Sequence, residues 1–198
     1  MSNLIGIGGS SGSGKSTLAY GLQKRFPELI EVVYFTDYQK SIERIPFFQG
    51  MRNWDCPEAI DFDKLCSDLT LLKNGKDVEI MTKNEKYNPT YPKTWERVPH
   101  TTKSKDVIFV EGYMSLAEKV RGLYDLSIFL DLPSEERMER RRTKKQSQEY
   151  LDNILLHMQE RYVEPTKGLA DIVINTREYS PEEVQEQVLA ILRSKKFL

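Results

Sequence analysis

Apolar residues along this chain alternate between short β-type runs and stripes of helical period, and that alternation predicts the fold. Leu4-Ile5-Gly6-Ile7 reads as a short buried strand, and Leu18, Leu22 and Phe26 form a helical stripe that Pro27 stops. Glu31-Val32-Val33-Tyr34-Phe35, rich in β-branched and aromatic residues, predicts a second strand. A helical pattern opens at Asp61 or at Pro57-Glu58, turns Phe62, Leu65, Leu69 and Leu72 to the core, and closes at Gly75. Val78-Glu79-Ile80-Met81 alternates as a short strand. The runs Val107-Ile108-Phe109-Val110, Leu126-Ser127-Ile128-Phe129-Leu130 and Asp171-Ile172-Val173-Ile174 predict buried ones. Further helices are expected from Ser134 to Lys145, from Ser147 to Arg161 and from Pro181 to about Arg193.

Strands alternating with helices in this way predict an α/β fold of three layers, a mostly parallel five-stranded sheet with helices on both faces. Two stretches follow neither period. Tyr38 to about Asn53 is irregular, and its Pro46-Phe47-Phe48-Gln49-Gly50 segment suggests a loop able to fold over a ligand. Residues 82–105, rich in Lys, Thr, Pro, Asn and Tyr, suit a small substrate-side insertion, either a hairpin or a long loop.

The junction of the first strand and first helix carries the chemistry. Gly9-Ser10-Ser11-Gly12-Ser13-Gly14-Lys15-Ser16-Thr17 fits the phosphate-binding pattern G-x-x-x-x-G-K-[ST]. Glycines let the backbone wrap closely enough for N–H groups to face phosphate oxygens, and the helix N-terminus adds its positive field. Lys15 would reach the β and γ phosphates and the Ser16 hydroxyl would take one position on Mg²⁺, with Glu111, at the end of a buried strand, binding the metal through water. Asp37 follows the second strand at the end where parallel sheets collect ligands. The basic cluster Arg137, Arg140, Arg141, Arg142, Lys144, Lys145 falls in a helix where Arg137, Arg141 and Lys144 share a face, which suits a cationic lid over 137–150. A guanine-reading Asn-Lys-x-Asp segment is matched only poorly, by Thr82-Lys83-Asn84-Glu85. The strand ending in Glu111-Gly112 lacks the terminal Asp of motor-type ATPases. An acceptor-side carboxylate with a cationic lid fits a small-molecule kinase.

Composition narrows the partners. The 198 residues suit one domain, and 29 Lys and Arg against 30 Asp and Glu give a net charge of −1, so no basic field argues for nucleic acid. The chain enters its first strand directly, and no apolar run approaches the length of a bilayer span, so a cytoplasmic protein away from the membrane is expected. Cys56 and Cys66 fit no metal or redox spacing and read as plain thiols. His100 and His157 fit no triad or metal pair. A homo-oligomer stays open.

The chain resembles the uridine kinase family and its nicotinamide riboside kinase and phosphoribulokinase relatives. The phosphate loop beginning Gly8-Gly9-Ser10, the position of Asp37, the Asn53-Trp54-Asp55-Cys56-Pro57-Glu58-Ala59-Ile60-Asp61 segment and Val107-Ile108-Phe109-Val110-Glu111-Gly112 carry the likeness. Arg137-x-x-Arg140-Arg141 and Glu164-Pro165-Thr166-Lys167 before Ala170-Asp171-Ile172-Val173-Ile174 complete it. The resemblance implies a P-loop kinase fold and ATP with Mg²⁺. It implies Asp37 as general base and Asp55 on ribose hydroxyls beside Trp54 and Arg137, with Arg141 and Lys144 closing on the γ-phosphate. The implied reaction phosphorylates a primary hydroxyl, foremost the 5′-OH of a nucleoside such as uridine or cytidine. Another alcohol (nicotinamide riboside, pantothenate, a sugar phosphate) or a non-enzymatic nucleotide switch stays open. Asp37-Tyr38-Gln39-Lys40 replaces the family's Asp-Ser-Phe-Tyr, its uracil-facing Tyr and His have no clear counterpart in 82–105, and Lys144-Lys145-Gln146 replaces lid arginines. A Lys for Arg keeps charge but loses bidentate geometry.

Overall fold

The strands are β1 (Asn3–Gly8), β2 (Ile30–Tyr34), β3 (Phe47–Phe48), β4 (Met51–Arg52), β5 (Val78–Thr82), β6 (Val98–Thr102), β7 (Val107–Glu111), β8 (Leu126–Asp131) and β9 (Ile172–Asn175). The structure, a computed structural model, describes residues 1–142 and 147–198, with the side chains of 141 and 142 also outside the description. Five strands form one sheet in the order β2-β7-β1-β8-β9, every pair parallel. The predicted sheet is therefore present, wholly parallel in its centre. Its continuous apolar runs have a simple cause: in β7, Val107 and Phe109 enter the core on one face while Ile108 and Val110 enter the core on the other. Helix Lys15–Arg25 and the C-terminal helix Pro181–Ser194 cover the first face with Leu18, Leu22, Val188, Leu189 and Leu192. Helix Phe62–Lys73 covers the second with Leu65, Leu69 and Leu72. Each such side chain, fully buried, contributes roughly 1.5–3 kcal/mol.

Local signals set the helix ends. Asp61 caps helix Phe62–Lys73 by accepting from the Lys64 N–H at 3.0 Å. At the other end Gly75 (φ 80°) lets its own N–H reach the Leu72 carbonyl and that of Lys76 reach Leu71, which satisfies carbonyls the helix leaves over. Ser180 and Glu183 form a reciprocal capping box on the C-terminal helix.

Two small hairpins stand outside the main sheet. β3 pairs with β4 antiparallel across Gln49 and Gly50, in the stretch the sequence leaves irregular. β5 pairs with β6 antiparallel, Val78 opposite Thr102, so the predicted strand Val78–Met81 belongs to the inserted hairpin and not to the parallel sheet. Helix Ser134–Arg142 precedes a second helical run over 148–163, in which Leu151–Leu155 and Gln159–Val163 are π-helical. That run buries Leu151, Ile154, Leu155, Met158 and Val163.

Candidate active site

The phosphate loop joins the C-terminal end of β1, the central strand, to helix Lys15–Arg25. Gly14 (φ 99°) occupies the N-cap in a left-handed conformation that any side chain would strain. A Cβ on Gly9 would lie 2.4 Å from the Leu130 carbonyl oxygen. Lys15 is 7% exposed, and its Nζ donates to the Ser10 carbonyl at 3.0 Å, folded back across its own loop. Ser16 Oγ donates to Glu111 Oε1 at 3.0 Å, so the two residues expected at the metal are already adjacent. A hydroxyl and a carboxylate beside a phosphate site are the hard oxygen donors Mg²⁺ takes, with phosphate and water completing its shell. Among the described residues no group of three or more His, Cys, Asp or Glu forms a cluster able to hold a metal by itself. Ser11, Gly12, Gly14, Lys15, Ser16 and Thr17 line a cleft of about 370 Å³ with Thr36, Glu111, Gly112, Tyr113 and Arg140.

A second cleft of about 760 Å³ opens next to it and shares Ser11, Thr36 and Tyr113. Trp54 and Asp55 line it, as do Gln39, Lys83, Tyr91, Trp95 and Tyr150. Asp55 is held there by Tyr150, whose hydroxyl donates to Oδ2 at 2.6 Å from the helical run 148–163. Tyr113 and Gln39 pin the chain beside it by donating to the Trp54 carbonyl. Burial, the Asp55 charge and this hydrogen bond push the Tyr150 phenol well above its ordinary range, so it stays a donor. Gln39, Lys83, Trp95, Tyr113 and Tyr150 were not singled out from sequence, although Lys83 stands in the Thr82-Lys83-Asn84-Glu85 stretch. Nothing local marks a residue as facing Trp54 from another hairpin.

Asp37 lies just past β2, as expected, and its carboxylate is bonded to the β5–β6 hairpin. Thr82 Oγ1 donates to Oδ2 and the Lys83 N–H to Oδ1, both at 2.8 Å, and Thr36, not Asp37, lines both clefts. Asp37 is thus a buried carboxylate that holds the β5–β6 hairpin. Burial pushes its pKa up, against the lowering effect of the Lys83 and Thr82 hydrogen bonds and of the Arg97 and Lys83 charges.

Arg137 does not line the second cleft. It is 7% exposed, donates to Gln159 Oε1 at 2.6 Å and pairs with Glu164 at 3.0 Å. Since its backbone packs under Gly12, it braces the phosphate loop from behind and does not line the acceptor cleft. Glu164 completes this brace by accepting from Ser10 Oγ at 2.5 Å. From helix Ser134–Arg142, Arg140 lines the phosphate cleft and donates to the Gly12 carbonyl at 3.3 Å. The Arg141 side chain and all of Lys144 lie outside the described residues. On the far side of the loop a cavity of about 100 Å³ is lined by Gly14, Thr17, Leu18, Arg140, Thr176, Tyr179 and Pro181. His100 stacks on Tyr87 in the hairpin, ring centroids 3.8 Å apart, and both cysteines are free thiols.

A sequence model of the phosphoribulokinase/uridine kinase family matches residues 4–181. The chain belongs to that family. A uridine kinase of Staphylococcus aureus is 34% identical over 86% of each chain. Among solved structures, a possible uridine kinase from Bacillus stearothermophilus superposes with a TM-score of 0.64 at 20% identity, over 88% of this chain and 89% of that one. A sugar kinase from a Janibacter species gives 0.52 at 18% identity, over 98% and 95%. These two show the shared P-loop kinase fold. This family member is an ATP-dependent phosphotransferase acting on a small-molecule hydroxyl. Among its described residues no helix is long and apolar enough to cross a membrane.

Proposed function

We propose that this kinase transfers the γ-phosphoryl group of ATP to the 5′-OH of a nucleoside. The observation that carries the reading is the shared wall of Ser11, Thr36 and Tyr113. It sets the phosphate cleft, with Lys15 and Ser16, directly against a cleft that combines Asp55 with aromatic side chains. Phosphoryl transfer asks little covalent chemistry of a protein; positioning and charge neutralisation lower the barrier. Gly9 to Thr17 would wrap the phosphates, with Lys15 leaving the Ser10 carbonyl for a phosphate oxygen and Arg140 reaching the same cleft from the helix above. Mg²⁺ would be held by Ser16 and by Glu111, directly or through water, and would supply charge neutralisation between the β and γ phosphates. The base of ATP would lie against the small cavity of about 100 Å³ behind Thr17. In the acceptor cleft Asp55, a carboxylate with room for about four hydrogen bonds, would take the ribose diol while Tyr150 keeps it in place.

Asp37 is proposed as the residue that receives the hydroxyl proton. Unliganded enzymes often hold such groups in other hydrogen bonds, and a carboxylate bonded to Thr82 and Lys83 is one residue from Thr36 in the wall between the clefts. A screen of ATP against uridine, cytidine, nicotinamide riboside, pantothenate and sugar phosphates tests the reading. Transfer to ribonucleosides is expected. With Asp55→Ala, kcat/KM for ribonucleosides should fall by about 10² while acceptors without a diol change little. Equal losses for both would leave Asp55 structural, and transfer only to non-nucleoside alcohols would overturn the proposal.

A further inference from the structure

The acceptor cleft holds a charge that ribose recognition does not use. Lys83, at the end of β5, lines the cleft with its Nζ bonded to the Gln39 side-chain oxygen and standing 5.6 Å from the Trp54 ring centre. Behind it Arg97 spends both terminal nitrogens on backbone carbonyls, those of Asp37 and Gln39, at 2.7 Å each. Among the described residues neither cation forms an ion pair within 4 Å, so two positive charges share one partly buried corner with only dipoles as direct partners. Burial first, and then the Arg97 charge, pull the Lys83 ammonium down to about 8 in spite of Asp37 and Asp55 nearby. A buried cation is costly unless something anionic completes it. The walls around this corner are flat and aromatic, with Trp54 on one side and Trp95, 73% exposed, on the hairpin opposite.

We propose that the acceptor is a nucleoside whose ring carries an anionic group, a carboxylate in the simplest case. Lys83, backed by Arg97, is the residue that selects it. This rests on the nucleoside reading above: Asp55 takes the neutral diol, the tryptophans flank the ring, and Lys83 meets the charge at its edge. A carboxylate there gains a charge-assisted hydrogen bond that a carboxamide cannot match.

The test uses acceptors that differ only in the ring substituent: nicotinic acid riboside against nicotinamide riboside, and 5-carboxyuridine against 5-carbamoyluridine. Rates of ADP formation are measured with the wild type, Lys83→Met and Lys83→Arg. Binding is followed separately by tryptophan fluorescence, since both tryptophans of the chain line this cleft. For the wild type, kcat/KM should be about tenfold or more higher for the acidic member of at least one pair. Lys83→Met should bring that ratio close to one, and Lys83→Arg should largely keep it. Transfer to ribonucleosides with no acidic preference, or an equal loss for both members of a pair in Lys83→Met, would overturn the inference and leave the nucleoside reading standing. If no ribonucleoside is phosphorylated, that reading fails. The fluorescence titration then decides the inference, with quenching selective for the acidic members supporting it and unselective or absent quenching overturning it.

Discussion

Asp37 answers to two demands that oppose each other. As a hairpin anchor it accepts from Thr82 and Lys83, and as a buried carboxylate it strains against its own charge. Its folded pKa is raised, so the folded state holds the proton more tightly than the unfolded chain. The ionised form therefore costs stability, a cost absent at pH below the unfolded carboxyl value and growing as pH rises through the raised one. Asp37→Asn should keep or raise the Tm at neutral pH, since an amide can still accept from Lys83 and donate to Thr82. It should lower kcat by about 10² or more if the carboxylate takes the hydroxyl proton. Thr82→Val keeps the carboxylate and removes one anchor, so its kcat should stay within a few-fold of wild type. Equal loss of kcat in both variants would mean that Asp37 acts only by holding the hairpin. On the sequence side the position of Asp37 was legible because a strand end is a local property. Its orientation was not, because the hydroxyl it faces lies 45 residues away in the chain.

The elements around the phosphate loop act through their ends. Helix Ser134–Arg142 reaches the loop through Arg137, and Glu164 ties that guanidinium to Ser10. Glu164→Ala should raise KM for ATP by about tenfold with a smaller effect on kcat, because it frees the loop without removing a group that meets phosphate. It should also cost about 1–3 kcal/mol in urea unfolding, since Arg137 is left buried without its carboxylate. A normal KM for ATP would show that the loop holds its shape unaided. The C-terminal helix contributes Pro181 and Val184 to the cavity behind Thr17, and its start depends on Ser180. Ser180→Ala is expected to lose about 1 kcal/mol of stability by the same measurement, and an unchanged midpoint would mean that packing alone fixes this helix. Glu164 stands in a stretch that carried the family resemblance, yet no period or motif announces that its partner is the phosphate loop.

For the whole molecule, the parallel sheet makes one cooperative body with two cores. Leu22 and Leu69 are both fully buried, one on each face. Leu22→Ala and Leu69→Ala should each cost about 2–5 kcal/mol. The double variant should equal their sum within about 0.5 kcal/mol, since the sheet separates the two sites. A large departure from additivity would mean that the two cores communicate through the sheet. The strands of the main sheet, the long helices that cover it and the phosphate loop at the end of β1 follow from the sequence alone, because each depends on spacing within about a dozen residues. The tertiary structure alone decided that Val78–Thr82 leaves the main sheet for a hairpin, that Arg137 is a buried brace, and that Arg140 lines the phosphate cleft. It also assembled the acceptor cleft from Trp54, Lys83, Trp95, Tyr113 and Tyr150, five residues on four separate segments. Such a surface exists only after long-range packing has closed it, and so no local pattern in the chain can spell it out.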